Sequence, residues 1–100
     1  MTLELDIEEE ACNQALDLGV INVKMKAAGN RGWPDRLFLI PGGRPLFIEF
    51  KRPEDGELSK NQVVIIRRLR YYGYQVEICD TVEQAISFIK ARLTSTKERS

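Results

Sequence analysis

Apolar and polar positions alternate along the chain with two periods, one typical of helices and one typical of strands. Three segments carry apolar residues at helical spacing, and four shorter segments alternate at every second residue or form short apolar runs. The helices are predicted at about 5–18, 59–72 and 81–93, and the strands at about 20–26, 36–40, 46–51 and 74–79. The elements therefore follow the order α-β-β-β-α-β-α.

The connections between these elements determine the expected topology. Pro41-Gly42-Gly43 supplies a turn, and the first three strands can form an antiparallel meander. The second helix then acts as a right-handed crossover to the fourth strand. We therefore expect an α/β fold with a mixed four-stranded sheet flanked by helices. One domain is predicted over residues 1–93, followed by a frayed tail over residues 94–100.

The composition restricts the chemistry that the chain can perform. Its 100 residues fit one small domain, and no apolar run approaches the roughly 20 residues that cross a bilayer. The acidic start MTLELDIEEE is unlike a signal or transit peptide. Cys12 and Cys79 are expected to be buried free thiols in a cytosolic protein. Histidine is absent, so any hydrolytic chemistry must use carboxylates, lysine and a hard metal.

Charge is balanced overall but uneven along the chain. Residues 1–23 carry six acids and no base, whereas residues 71–100 carry four of each. Residues 24–70 carry eleven bases against five acids, a net charge of +6 by subtraction. This basic middle segment permits a polyanionic partner without requiring one, because a solvated mixed surface explains it equally well.

A carboxylate and an ammonium group lie two residues apart at the end of the third predicted strand. Residues i and i+2 point to the same side of a strand, so Glu49 and Lys51 project together, while Phe50 packs with Ile48 on the other side. Asp35 opens the neighbouring strand, and the intervening turn places it opposite roughly residue 50. Two carboxylates and a lysine are therefore predicted to converge.

This convergence has a structural and a functional interpretation. Taken alone, Glu49 and Lys51 would form a common salt bridge at a strand end. Asp35 follows a glycine-rich loop and lies across the hairpin from this pair, which favours the functional interpretation. Two adjacent carboxylates repel each other, and a divalent hard cation with oxygen ligands resolves that conflict. Beside such an ion, Lys51 can orient a water or neutralise the charge that develops on a phosphate.

The same residues resemble the PD-(D/E)xK nuclease superfamily, and most closely its VRR-NUC branch. The family pattern runs from a glutamate in an early helix through G-x-PD and E-x-K to a glutamine in the next helix. Here the corresponding residues are Glu8, Gly32-Trp33-Pro34-Asp35, Glu49-Phe50-Lys51 and Gln62. The similarity covers about residues 4–80, and it implies a restriction-endonuclease-like αβββαβ core in a stand-alone domain of minimal size.

The resemblance also implies a reaction and roles for these residues. The reaction would be Mg²⁺- or Mn²⁺-dependent hydrolysis of phosphodiester bonds. Lys51 would be the catalytic lysine, and Glu8 and Gln62 would complete the catalytic set. The implied metal ligands are Asp35, Glu49, Glu8 and the backbone carbonyl of Phe50.

The identity of the helix glutamate stays open among four neighbours. The competitors of Glu8 are Glu4, Glu9 and Glu10. Glu8 fits the family spacing best, and Glu4 shares its helix face one turn earlier. Acids near a helix N-terminus are also favoured by the helix dipole, which explains most of this cluster without catalysis.

Gln62 has a structural alternative of its own. Ser59 followed by Gln62 matches a capping box, and Thr81 followed by Gln84 repeats it at the last helix. In such a box the side chains satisfy the first N–H groups of a helix. We expect Gln62 to serve both the cap and the site only if its side chain is not committed to Ser59.

The basic and aromatic residues near the proposed site have two interpretations each. Six bases are predicted to contact DNA phosphates, which would confer no sequence specificity. Each of them is also compatible with a solvated charge. Trp33 is expected to pack its loop rather than stack on a base, and Tyr71, Tyr72 and Tyr74 are interpreted mainly as packing residues, with a dimer contact as the alternative. The six bases are Lys24, Lys26, Arg31, Arg36, Arg52 and Lys60.

We therefore expect a metal-dependent endodeoxyribonuclease in the cytoplasm of a bacterial or phage-infected cell. Its expected partner is DNA, and no association with a membrane is expected. The first hypothesis is a resolvase of four-way (Holliday) junctions. It would be a homodimer, because symmetric resolution needs two cuts and one chain offers one site. A flap, splayed-arm or less specific nuclease is the second hypothesis. A non-catalytic nucleic-acid-binding module and a metal-free interaction domain are alternatives of other classes.

Overall fold

Within residues 3–25 and 31–99, four strands form one mixed sheet with helices on both faces. The computed structural model describes these residues, with side chains as far as residue 94. The predicted order of elements and the mixed sheet are confirmed. The elements are α1 (Glu4–Asp17), β1 (Ile21–Lys24), β2 (Arg36–Ile40), β3 (Arg44–Phe50), α2 (Lys60–Tyr71), β4 (Gln75–Cys79) and α3 (Val82–Arg99).

Strand β3 joins the antiparallel and parallel parts of the sheet. The strand order is β1-β2-β3-β4, with β1–β2 and β2–β3 antiparallel and β3–β4 parallel. Arg36 pairs with Ile48, and Phe50 pairs with Cys79. One end of the sheet therefore collects the start of β2 and the ends of β3 and β4.

The two faces of β3 pack against different helices, because its side chains alternate. Leu46, Ile48 and Phe50 are fully buried in an apolar cluster with α1 and α3. Phe47 points to the opposite face and packs with residues of α2 and β4. Glu49 shares the face of Phe47, so its carboxylate lies beneath α2 and not among the larger apolar cluster.

Strand β1 is more exposed than its alternating sequence predicts. Ile21 and Val23 lie opposite Leu39 and Leu37 on β2, and they share the α2 face of the sheet. Helix α2 packs on Phe47 and Val76, nearer the other edge of the sheet. Ile21, Val23 and Leu39 are therefore exposed. We call these three residues the sheet patch.

Helix α3 continues to Arg99, beyond its predicted end near Leu93. Helical backbone therefore extends over residues 94–99, while the domain bounds of residues 1–93 and the frayed tail stay predictions. This segment contains neither glycine nor proline, so its sequence has no residue that stops a helix. No helix in the described part of the chain is both long and apolar enough to cross a membrane.

Both cysteines are buried free thiols on the α1/α3 face, as predicted. Burial raises the pKa of the Cys12 thiol, against the lowering effect of the Arg36 guanidinium. Burial also raises the pKa of Cys79 to about 12, with a further contribution from the Glu77 and Asp80 carboxylates. Neither thiol is therefore prepared to act as a nucleophile at neutral pH.

Candidate active site

Asp35 connects the beginning of β2 to the end of β3. Its Oδ2 accepts a hydrogen bond of 2.8 Å from the backbone N–H of Phe50, and its carbonyl accepts one of 2.9 Å from Met25. The side chain is buried. The predicted proximity of Asp35 to residues 49–51 is thus found. The carboxylate contacts the backbone beyond Glu49, since the register of β2 and β3 sets Asp35 about opposite Glu49.

Glu49 is a fully buried carboxylate with two donors on one oxygen. Its Oε2 lies 2.6 Å from Nε2 of Gln62 and 3.2 Å from Nζ of Lys51. The Lys51 side chain is only 14% exposed, so this ion pair is largely shielded from water. Burying a charged pair is costly even when it is well bonded. A pair of this kind at a strand end therefore suggests a functional requirement.

Gln62 links this ion pair to the first turn of α2. Its Oε1 accepts from the backbone N–H of Ser59 at 2.8 Å and from Nζ of Lys51 at 3.2 Å. The Ser59 hydroxyl completes the capping box by accepting from the Gln62 N–H at 3.2 Å. Both partners of Oε1 are pure donors and the Glu49 carboxylate accepts, so the hydrogen bonds fix the orientation of the amide.

We expected Gln62 to contact the site only if its side chain were not committed to Ser59, and this expectation is wrong. A side-chain amide has an acceptor end and a donor end, and here the two ends serve different partners. The acceptor end binds Ser59 and Lys51, and the donor end binds Glu49. The cap of α2 and the position of the Glu49–Lys51 pair thus depend on the same side chain.

Gly32 allows the loop before Asp35 to lie directly on α2. Its φ is +82°, and a β-carbon there would come within 2.8 Å of the Asn61 backbone. Any larger residue would therefore separate the loop from the first turn of α2, where Gln62 lies. Trp33 packs its ring 6.2 Å from that of Phe47, between centroids, so the predicted packing role of Trp33 is found.

Gly56 is a further positioning residue, which the sequence analysis missed. The loop folds back so that the Gly56 N–H donates to the Arg52 carbonyl at 3.1 Å. A β-carbon at Gly56 would lie 2.8 Å from the β-carbon of Lys51 and 2.7 Å from the Arg52 nitrogen. The signal in the sequence was Asp55-Gly56, a pair typical of tight turns.

Glu8 is the buried member of the four candidate glutamates, and it is paired. Its Oε2 accepts from Nε of Arg36 at 2.6 Å, and Arg36 also donates to Oδ1 of Asn22 at 2.9 Å. This contact fixes α1 to β1 and β2. Cys12, one turn after Glu8, feels the charges of both Glu8 and Asp35, so α1 covers this end of the sheet.

The other three glutamates of α1 are exposed. Glu10 accepts a hydrogen bond from Gln14, a local helical contact. Glu4 lines a cleft of about 420 Å³ together with Lys51 and Arg52. The second choice for the helix carboxylate thus lies beside the predicted catalytic lysine, whereas the first choice is bound to Arg36.

The donor set matches a small hard cation. Asp35 and Glu49 provide carboxylate oxygens from adjacent strands, and the Phe50 carbonyl lies between Glu49 and Lys51 in the chain. Among residues 3–25 and 31–94, no group of three or more acidic, cysteine or histidine side chains converges. Mg²⁺ is commonly held by one or two carboxylates while it keeps several waters. The chemical type of these oxygen ligands therefore suits Mg²⁺ or Mn²⁺, and the binding of either ion stays a prediction.

The predicted DNA contacts fall into different surroundings. Lys24, Arg31 and Lys60 are exposed. Arg52 is half exposed and pairs with Asp55 at 3.1 Å. Arg36 is directed inward to Glu8, and the position of Lys26 lies outside the described residues.

The tyrosines differ from their predicted packing role. Tyr71 and Tyr72 are 87% and 62% exposed, so the packing interpretation is wrong for both. They follow the polar sequence RRLR at the C-terminal end of α2. Tyr74 is half exposed and sets its ring edge against Phe47 at 6.0 Å, as the packing role predicts.

The fold and the acidic-lysine end of the sheet define an α/β protein of the restriction-endonuclease-like class. The chain belongs to the VRR-NUC domain family, whose model matches residues 7–83. A solved structure described as "VRR_NUC domain" superposes with a TM-score of 0.77 at 27% identity, covering 90% of this chain and 97% of that one. These likenesses support a nuclease.

One relative also carries a nuclease name. The chain is 33% identical over 78 residues to "Putative nuclease p44" of Acyrthosiphon pisum secondary endosymbiont phage 1, covering 78% of this chain and 83% of the relative. The matched family region contains Asp35, Glu49, Lys51 and Gln62.

Proposed function

We propose that the protein is a Mg²⁺- or Mn²⁺-dependent endodeoxyribonuclease. The observation that carries this proposal is Glu49, a fully buried carboxylate held by Lys51 and Gln62 beside the Asp35 strand. Such a pair is costly in a small core and needs a reason to exist. Membership of the VRR-NUC family and likeness to a phage protein named as a nuclease support the same reaction.

The residues of the site have separate roles in this proposal. Asp35, Glu49 and the Phe50 carbonyl would hold the ion, which supplies Lewis-acid polarisation of a phosphate and a more acidic water when bound. Lys51 holds its ammonium group 3.2 Å from Glu49, where it can stabilise the negative charge that develops on the phosphate. Gln62 restrains Lys51 and Glu49 at a fixed separation.

In this proposal Glu8 has two functions: it pairs with Arg36, and it is a candidate ligand of the ion. The pair holds α1 against β2 directly next to Asp35. Arg36 holds Glu8 through Oε2 at 2.6 Å, so Oε1 is the oxygen through which Glu8 could join the ion while this pair stays formed. Glu4, in the cleft with Lys51, is the alternative carboxylate from α1.

The proposed substrate is a four-way DNA junction, cut by a homodimer. One chain carries one such site among its described residues, and paired cuts on opposing strands need two copies related by a two-fold axis. The sheet patch fits this contact, because a symmetric contact there would meet apolar side chains and not like charges. A phage or bacterial host is the context that the phage relative suggests.

A flap or splayed-arm nuclease is the second candidate. Exposed Lys24, Arg31 and Lys60 can contact any DNA backbone, and one site is enough for a single cut. A binding module without turnover is favoured less, since the acidic residues and lysine of the motif are all present.

The test combines cleavage and mass. Purified protein is incubated with a labelled four-way junction and a linear duplex, with and without Mg²⁺ or Mn²⁺. Paired nicks in the junction, dependent on the ion, are expected, together with a dimeric mass by light scattering. A strictly monomeric mass, both free and on the junction, would defeat the resolvase and leave a single-cut nuclease. Ion-independent cleavage would defeat the proposed chemistry.

A further inference from the structure

The solvent face of α2 carries a continuous stripe of basic and aromatic side chains. Residues spaced by four, three and four positions lie on one side of a helix, and these positions hold Lys60, Val64, Arg67 and Tyr71. All four are exposed, and Arg68 is exposed beside them. We call these five residues the α2 stripe. The buried side of the same helix carries Gln62, Ile66 and Leu69.

An open groove with a mainly apolar surface lies along the α2 stripe. Val64, Arg67, Arg68, Tyr71 and Tyr72 surround about 400 Å³ of open space. The rings of Tyr71 and Tyr72 lie 6.1 Å apart between centroids and are tilted by 56°. Helix α2 contains no acidic residue, and neither Arg67 nor Arg68 forms an ion pair within the described part of the chain. The groove thus offers aromatic faces next to unneutralised positive charge.

The α2 stripe begins at the active site. Lys60 is the first residue of α2, two positions before Gln62, which contacts Glu49 and Lys51. From Lys60 to Tyr71 the helix rises by roughly 16 Å. A strand inside a DNA duplex advances about 3.4 Å per nucleotide, and an extended unpaired strand advances further, so the stripe spans at most about five nucleotides of one strand.

We propose that the α2 stripe binds an unpaired strand of the DNA substrate next to the scissile phosphate. Arg67 and Arg68 bind its phosphates, and Tyr71 stacks on a base, the combination that single-strand binding surfaces use. This inference rests on the proposed nuclease function and adds the part of the substrate that the protein holds. Flaps and splayed arms offer unpaired nucleotides directly, and a fully paired four-way junction offers them when base pairs open at its branch point. The surface would therefore favour branched over linear DNA.

A second copy of the chain fits this surface poorly. In a two-fold contact the same patch meets itself, so Arg67 and Arg68 of one copy would approach those of the other. Like charges brought together at an interface oppose association. The polyanionic strand has the opposite charge, and it is therefore the occupant that the α2 stripe favours.

The test measures binding without cleavage, in EDTA, of a labelled single-stranded oligonucleotide and a labelled four-way junction. Arg67→Gln and Arg68→Gln should each reduce the slope of log affinity against log salt by about 0.7 on the single strand. Tyr71→Ala should weaken single-strand binding about tenfold, and Tyr71→Phe, which keeps the ring, should restore it to within about twofold. Lys90→Gln is the matched control, because it removes one exposed charge from α3 on the opposite face.

The outcomes separate this inference from the proposed function. Wild-type affinity and salt slope in all three α2 variants would overturn the inference, even if junction cleavage with Mn²⁺ is intact. A loss of dimeric mass in Tyr71→Ala would also overturn it, by assigning the surface to a second copy. Altered single-strand binding without any junction cleavage by the wild type would support the stripe and reject the junction nuclease. No measurable wild-type binding of either probe would overturn both.

Discussion

The two faces of the sheet bury different kinds of residue. The α1/α3 face buries a large apolar cluster that includes Phe38, Ile48 and Phe50 at full burial. The α2 face has a smaller apolar cluster around Phe47, and it also buries the polar pair Glu49 and Gln62. The difference indicates a division of labour. The apolar face supplies the stability that allows the other face to bury charge at the end of the strands.

The largest expected effect comes from neutralising the charge on the α2 face. Glu49→Gln keeps an acceptor oxygen toward Lys51 and Gln62 but removes the negative charge that the proposed ion requires. Cleavage should fall by about a thousandfold or more, while circular dichroism shows a folded protein. Glu77→Gln makes the same chemical change on β4 and should keep nearly full activity. Efficient cleavage by folded Glu49→Gln would remove Glu49 from the site.

Truncating a side chain on the α1/α3 face should have the opposite effect, because it should lower stability and leave the cleavage rate of the folded protein nearly unchanged. Phe38→Ala should reduce the free energy of unfolding by about 3–5 kcal/mol in urea titrations, because it opens a cavity in the apolar cluster. The residual folded fraction should cleave at close to the wild-type rate. Leu39→Ala, the next residue on β2, points to the exposed sheet patch and should cost well under about 1 kcal/mol. Equal losses for the two variants would contradict the division between the faces.

Gly32 tests the contact that closes the α2 face over the site. Gly32→Ala should cost roughly 1–3 kcal/mol of folding free energy, because φ is positive and the new β-carbon meets the Asn61 backbone. Cleavage should fall as well, since the displaced first turn carries Gln62. Gly43→Ala has nearly the same φ, +80°, but open space around the new atom. A difference in cleavage between these variants measures the contact, and equal cleavage would refute it.

Divalent ions should stabilise the α2 face if they bind to Asp35 and Glu49 as proposed. At ten times its dissociation constant, an ion that binds the folded state alone adds about 1.4 kcal/mol. Thermal melts in Mn²⁺ should therefore rise by several degrees, by roughly 4–8 °C per kcal/mol for a domain of this size. Asp35→Asn should lose the shift. An identical rise in both proteins would show that the ions act elsewhere.

The smallest effect concerns the thiols of the α1/α3 face. The pKa of Cys79 is raised from 9.0 to about 12 by burial, so its contribution to stability is complete below pH 9 and is lost as the pH rises toward 12. At pH 8 both thiols should react with iodoacetamide far more slowly in buffer than in urea. Rapid alkylation of the native protein would show that water reaches this face.

Local patterns in the sequence predicted the features whose causes are local. The capping box at Ser59 and the strand alternation that puts Glu49 and Lys51 on one side each depend on residues a few positions apart. The approach of Asp35 to the end of β3 followed from a hairpin turn of defined length. All three are present in the structure.

Contacts between distant segments could not be predicted in the same way. The pairing of Glu8 with Arg36 depends on how α1 crosses the sheet, which no single segment encodes. The exposure of Ile21 and Val23 depends on which strands α2 covers. The role of Gly56 could not be predicted, because a glycine is needed there to leave room for Lys51, and a turn signal does not describe that contact.

Because the Gln62 amide bonds to both Ser59 and the Glu49–Lys51 pair, the site is assembled only while the first turn of α2 is closed. When this turn opens, Gln62 loses its hydrogen bonds to the Ser59 N–H and to the Lys51 ammonium group in the same event. An opening free energy of about 1.4 kcal/mol would leave the site disassembled for about a tenth of the time. Amide hydrogen exchange at the start of α2 therefore reports the fraction of molecules ready to react. A substitution far from the acidic residues can lower turnover simply by loosening that turn.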